Sequence, residues 1–335
     1  MRFSKSAPSS ALDKDSALAP AAGNGRGRRN IERLQDFSIL AFLVGLFIVL
    51  ALTSDVFLTA RNLENVLAQS VAVGLIACSG GLVIMGGGFD LSAGAIYVLS
   101  AIVAAKVSNA FGAESGIVSG MLAGVALGGA NALICTVGKI NSFVGTLGTS
   151  IFYSGAAIAI SGGGFTYIDD PAFSVLSADI LGINVSIIVF AVFAGVCAFL
   201  LNRTVFGRHL LAAGDNEEAA KLSGVSVAWT RAWAYMLSGF SAGLAGIVVA
   251  SRSLAVGSSS GLANSVVFSA LAAILVGGVS MRGGEGAIWR ILAGVFILAG
   301  VSNGFNLNGI DPLYQQMMTG VLILVAVAID VWAKR

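Results

Sequence analysis

The sequence predicts an all-α, polytopic membrane protein of about ten transmembrane helices, arranged as an inverted repeat of five. Three observations carry this. Of 335 residues, 56% are hydrophobic and only 11% are charged, with a mean hydropathy of +0.90. Soluble domains carry about 25% charged residues. Apolar runs close to the ~20 residues that cross a bilayer recur along the whole chain. The basic residues are also divided unequally between alternate loops, as orientation in a membrane requires. The 44 glycines suit close packing of helices in lipid.

The elements follow in chain order. Residues 1–36 are rich in Ser, Ala, Gly and Arg, lack hydrophobic periodicity, and read as a disordered tail. No short apolar core with a cleavage site precedes the first span, so the tail is not a signal peptide. Arg26, Arg28, Arg29 and Arg33 hold it in the cytoplasm. The rest, 37–335, reads as one transmembrane domain. Its ten candidate spans are Phe37–Thr53, Val66–Gly86, Leu91–Phe111, Ile117–Val137, Phe143–Ser161, Ile183–Leu201, Ala232–Ala250, Val266–Ser280, Ile288–Phe305 and Tyr314–Trp332. With both termini inside, the inner side holds the seven basic residues of the tail plus Lys139, Arg203, Arg208, Lys221, Arg231, Arg282, Arg290, Lys334 and Arg335. The outer side holds only Arg61, Lys106 and Arg252. The loop from Gly162 to Gly182 has three aspartates and no base, which fits outside. Met85–Ala101 and Ser258–Gly278 each set a Gly/Ser-rich break before a small-residue helix, five spans apart. A repeat across an odd number of crossings must be inverted, an arrangement found in transporters.

The longest charged interruption after the tail is 202–231, which this topology places in the cytoplasm. Within it Asp215 reads as an N-cap, with Glu218 completing a capping box. Glu217 and Glu218 suit the first turn, Lys221 the last, and Gly224 the end of a short exposed helix. That helix, Asn216, Glu217, Glu218, Ala219, Ala220, Lys221, Leu222 and Ser223, reads as a docking element for a motor subunit.

No enzyme is written into the sequence. The only Gly-Lys pair, Gly138-Lys139, lacks the rest of a phosphate loop, so the chain does not bind ATP itself. Cys78, Cys135 and Cys197 lie in apolar runs as packing residues, without metal-ligand spacing, and His209 is the single histidine. No metal site is expected. The basic residues are scattered, which disfavours nucleic acid. The partner at every span is the lipid bilayer.

Asp90, in GGGFDLSAG, is an acid flanked by apolar segments. It reads as a cap on the third helix, accepting from the Ser92 or Ala93 amide, or as a contact to a polar solute. Glycines 86 to 88 allow both, since they permit non-helical backbone beside a cavity. Ser92, Asn131, Phe143, Asn303 and Asn306 are further candidates for a substrate pathway. The asparagines read equally as bonds between helices, and Phe143 as packing.

Four blocks, GGGFDLSAGAIYVLSA (86–101), SFVGTLGTSIFYSG (142–155), GRHLLAAGDNEEAAKLSGV (207–225) and LVGGVSMRGGEGAIWRILAGVFI (275–297), resemble one family. It is the permease subunit of bacterial ABC importers for ribose, xylose and similar monosaccharides. The resemblance runs from about Asn62 to Asp330. It implies a cytoplasmic ABC ATPase that binds ATP and Mg, a periplasmic sugar-binding protein, and a second permease, copy or paralogue, in the bacterial inner membrane. It implies a coupling helix at Asp215–Gly224 and alternating access powered by the separate ATPase. One departure stands out. Many members carry a tyrosine-glutamate-leucine-aspartate stretch entering the eighth span, where this chain has Val266, Val267, Phe268 and Ser269. An ion-coupled secondary transporter is the alternative, though it calls for more buried titratable groups than Asp90. A non-transporting scaffold or receptor is the other, against which the Gly-rich breaks and the repeat stand.

Overall fold

A computed structural model describes residues 25–328, apart from 181, 312, 319, 322, 323 and 325–327. The apolar runs are helices, because a backbone in lipid must bond within its own segment. In order they are α1 (Gly25–Thr53), α2 (Ala60–Met85), α3 (Ala93–Phe111), α4 (Ala113–Ala132), continued by a π-turn at Leu133–Val137, and α5 (Ser142–Ser161). Then come α6 (Val185–Arg203), α7 (Val205–Asp215), α8 (Glu217–Leu222), α9 (Val227–Ser253), α10 (Ser260–Val276) and α11 (Ile288–Leu307). Among the described residues, seven are long and apolar enough to span a membrane: α2, α3, α4 with its π-turn, α5, α6, α9 and α11. The apolar parts of α1 and α10 are shorter. The expected tenth span, Tyr314–Trp332, lies largely outside the described residues.

Some boundaries differ from the sequence reading. Gly25–Asp36, expected in the disordered tail, form the first turns of α1. Arg, Glu, Gln and Leu are strong helix formers, and an apolar run follows to extend them. The rest of the tail lies outside the described residues. The eighth expected span begins earlier, at Ser260, so Val266–Ser269 sit inside α10 rather than at its entry. Two short antiparallel ribbons interrupt an otherwise helical chain: β1 (Phe165–Tyr167) with β4 (Ala255–Gly257), and β2 (Asp179–Ile180) with β3 (Ile183–Asn184).

The centre of the bundle is α9, with 78% of its span buried against 17% for α5. It packs on α2, α3 and α4. Its seam with α4 is set by glycine: Gly120, Gly124 and Gly128 recur every fourth residue and so share a face. A Cβ on Gly124 would lie 2.5 Å from the Gly239 carbonyl, and one on Gly128 2.5 Å from that of Tyr235. These backbones meet closer than any side chain allows, the usual means of helix association in lipid.

The helix ends gather at two poles. At one, Gly284 N–H donates to Met85 O at 2.8 Å and the 86–92 segment meets α5, α7 and α9. At the other, β1 pairs with β4 and Asn109 Nδ2 donates to Tyr167 O at 2.8 Å.

Candidate functional site

The first pole holds a break in the helical bundle. α2 stops at Met85 because three glycines follow. Gly87 N–H donates to Ile84 O and Gly88 N–H to Val83 O, at 2.9 and 3.0 Å. Gly87 has φ +79°, a left-handed conformation that glycine adopts without strain. This is the Schellman closure of a helix end. The chain then stays non-helical until α3 begins at Ala93.

Every exposed backbone group in that break needs a partner inside the membrane. Phe89 N–H donates to Ser142 Oγ at 3.1 Å, and Leu91 N–H to Thr146 Oγ1 at 3.1 Å, both from α5. Tyr235 Oη of α9 donates to Phe89 O at 3.2 Å. Asp90 is 6% exposed. Its Oδ1 accepts from Ser92 N–H at 3.0 Å and Ser92 Oγ at 2.6 Å, and its Oδ2 from Ser238 Oγ at 2.7 Å. Asp90 takes the Ser92 amide as expected, but ahead of α3 rather than as its cap, since Ser92 itself holds the N-cap position of that helix. Asn131 Nδ2 donates onward to Ser92 Oγ at 2.6 Å, and Tyr153 Oη to Asn131 Oδ1 at 3.3 Å. Below Ser238, Ser241 bonds Ser79 of α2. The result is a polar chain through α2, α3, α4, α5 and α9.

Of the six pathway candidates, Asp90, Ser92 and Asn131 meet in this network. Phe143 adjoins it through an edge-on contact with Phe89, ring centres 6.4 Å apart. Asn303 and Asn306 do not. Asn303 exchanges two amide bonds with Asn62, at 2.9 and 3.0 Å. Asn62 lies near the start of α2, about 35 Å of helix from Met85 at 1.5 Å per residue. Asn306 is exposed and accepts from Gln315 Nε2 at 2.7 Å. Near it, a cavity of about 510 Å³ opens between α2, α10 and α11, lined by Gln69, Ser70, Phe268, Ser269, Ser302 and Gln315.

The sequence reading missed Ser142, Thr146, Tyr153, Tyr235 and Ser238. Their spacing was the available signal. Ser142, Thr146 and Tyr153 share one face of α5, and Arg231, Tyr235 and Ser238 one face of α9, at helical period.

The expected docking helix is present with one correction. Asp215 is not its N-cap. It is the last residue of α7, whose helix runs through it, and Asn216 is the residue in extended backbone, φ −150°. Asn216 Oδ1 accepts from Ala219 N–H at 2.9 Å. Asparagine caps as well as aspartate. The shift moves Glu218 to the second position, so no capping box forms. α8 ends as α2 does: Gly224, φ +82°, donates to Lys221 O and Val225 to Ala220 O, each at 3.0 Å. Ala220 packs with Ala213, Val225 and Val227, while Leu222 is 91% exposed.

Glu217 pairs with Lys221 at 2.6 Å and with Arg231 at 2.7 Å. Hydrogen bonds from Lys221 first, then Arg231, hold its carboxyl below the ordinary value of 4.5. The Arg231 guanidinium also reaches Gly86 O through Nε, at 2.8 Å, and Ala213 O through Nη2, at 3.3 Å.

The family described as branched-chain amino acid transport system / permease component matches residues 62–327. The chain belongs to this family of transport permeases. Seven helices among the described residues that are long and apolar enough to span, together with the family, make it a multi-pass membrane protein. Curated relatives are similar over nearly their whole length. The L-arabinose ABC transporter permease protein of Azospirillum brasilense is 35% identical over 325 residues, covering 96% of this chain and 94% of the relative. The ribose import permease protein of Bacillus subtilis is 36% identical over 298 residues, 86% of this chain and 91% of its own. The D-allose transport system permease protein of Escherichia coli is 33% identical over 298 residues, 88% and 90%. No solved structure matches.

Proposed function

We propose that this permease forms the translocation pathway of an ATP-binding-cassette importer for a monosaccharide or related polyol. α8 is the observation that carries the proposal: a capped, exposed helix fixed to the bundle from beneath, on a family permease without a phosphate loop of its own. The sugars for which the relatives are named, ribose, L-arabinose and D-allose, support the substrate class. A cytoplasmic ATPase subunit holding ATP and Mg grips α8. A periplasmic sugar-binding protein delivers the substrate, and a second permease, copy or paralogue, completes the pathway in the bacterial inner membrane. The full domain has ten spans in an inverted repeat, with both termini cytoplasmic. ATP binding closes the ATPases, the α8 helices move, and the pathway switches its open side. The polar network around Asp90, Ser92 and Asn131, bordered by Phe143, lies where that movement would reshape the pathway.

The test is import in a bacterial host expressing the complete system, with labelled L-arabinose, ribose and D-allose as probes. Uptake that follows ATP and persists with an uncoupler supports the proposal. Uptake that collapses with the uncoupler at constant ATP sinks it in favour of ion coupling. Leu222→Arg, on the exposed tip, is expected to abolish ATPase co-purification and import without lowering the stability of the permease.

A further inference from the structure

We infer that Arg231 is a positioning residue that couples α8 energetically to the helix break at Gly86–Ser92. The inference rests on the proposed coupling role of α8. The two regions come from chain segments over a hundred residues apart. They meet at one guanidinium, which donates from Nη1 to Glu217 of α8, from Nη2 to Ala213 O of α7, and from Nε to Gly86 O at the end of α2. Three directed donors in one plane fit arginine and not lysine, whose ammonium is a point charge.

The surroundings are shaped to admit it. Gly87 leaves the space: a Cβ there would stand 3.1 Å from Arg231 Nη2. Gly214, next to Ala213, lies against Met85 backbone, and a Cβ on Gly283 would meet Gly214 and Gly87 backbone at 3.0–3.1 Å. The ends of α2 and α7 and the 281–286 loop therefore touch backbone to backbone, with Arg231 across them. Gly86 is in turn only three residues from Phe89, whose N–H and C=O are held by Ser142 and Tyr235. A displacement of α8 cannot leave this junction untouched while the Glu217–Arg231 contact lasts. Arg231 is 23% exposed at its side chain, so water competes weakly for these bonds.

The experiment is a double-mutant cycle read by amide hydrogen exchange on the full chain in lipid nanodiscs. The four proteins are wild type, Glu217→Ala, Arg231→Lys and the double variant. The reporting amides are Gly88, Phe89 and Leu91, and amides of 239–250 in α9 are the control. Glu217→Ala is expected to raise exchange at the break by about tenfold, the factor for one lost charge-assisted hydrogen bond. Arg231→Lys should raise it at least as much, and the double variant no more than Arg231→Lys alone. Unchanged exchange at the break in Glu217→Ala overturns the inference, as do additive effects or a rise shared equally by the control. The cycle needs no ATPase. A closed cycle together with normal import by Leu222→Arg would keep the coupling between the two regions and remove the docking role of α8.

Discussion

Substitution of Asp90 separates a hydrogen-bond acceptor that holds the helix break from a charge required for transport. In Asp90→Ala, Ser92 N–H loses its acceptor in a buried site, and the Ser92 and Ser238 hydroxyls lose theirs. The Ser238 hydroxyl, inside α9, can turn to a helix carbonyl one turn back, so the Ser92 amide and hydroxyl carry most of the penalty. A buried donor left unpaired costs about 1–3 kcal/mol, and the weakened hydroxyl bonds add to it, so about 3 kcal/mol is expected. At about 2 °C per kcal/mol for a large chain, melting falls by about 6 °C. Asp90→Asn behaves differently. Its Oδ1 still accepts from Ser92, and its Nδ2 can donate to Ser238 Oγ once that hydroxyl turns away, so the loss stays below about 1 kcal/mol. The assay is heating in detergent with a thiol-reactive fluorophore. Cys78 and Cys197 are 0% exposed and report unfolding, while the half-buried Cys135 sets the baseline. Import is measured in parallel. If Asn melted as early as Ala, the charge itself would be what the site needs. If Asn melted normally but stopped import, Asp90 would serve passage in addition to holding the Ser92 amide.

Three further outcomes follow from the packing and the charges. Gly128→Ala should destabilise by about 1–3 kcal/mol through overpacking against α9, whereas Gly129→Ala, with no atom within 4 Å of its Cβ, should be neutral or gain up to about 1 kcal/mol in helix propensity; the same melting assay compares them. Asn303→Leu leaves Asn62 short of a partner and should cost about 1–3 kcal/mol, much of it recovered in Asn62→Leu/Asn303→Leu; loss of import in the double variant with melting restored would instead mark a pathway role. The folded Glu217 carboxyl titrates below its ordinary value of 4.5, so its contribution is fully present above that value and is lost as pH falls through the lowered one. A spin label at Leu222→Cys should therefore sharpen only below about pH 4.5, and in Glu217→Gln it should be mobile throughout.

Hydropathy made the helical membrane fold legible, because lipid leaves the backbone few alternatives. It did not show the ribbons. Three-residue strands such as Phe165–Tyr167 and Ala255–Gly257 carry no periodicity, and their pairing bridges about ninety residues. α8 was legible from its charges and from Gly224, but its cap was read one residue early. Asp215 and Asn216 are equally good caps, and only the amphipathic α7, which stays helical through Asp215, decides between them. Ser142, Thr146 and Ser238 escaped for another reason: a single hydroxyl in an apolar run carries no mark of whether it bonds its own turn or a neighbour's backbone.

Asp90 and the Asp215–Gly224 segment entered the sequence reading as separate features, one inside the membrane and one outside it. Their local chemistry is in fact alike. Each region contains a helix closed by a left-handed glycine, Gly87 or Gly224, followed by backbone that the helix no longer satisfies. Such backbone is held by side chains from elsewhere, and side chains can let go at far lower cost than a continuous helix can bend. Gly86 O is the point where the two regions meet. Left to itself it would be an orphan carbonyl at a helix end, and its donor is the residue that also holds Glu217. On the proposed function, the pathway needs a soft element and the motor a firm handle, and Arg231 would put one side chain's length between them.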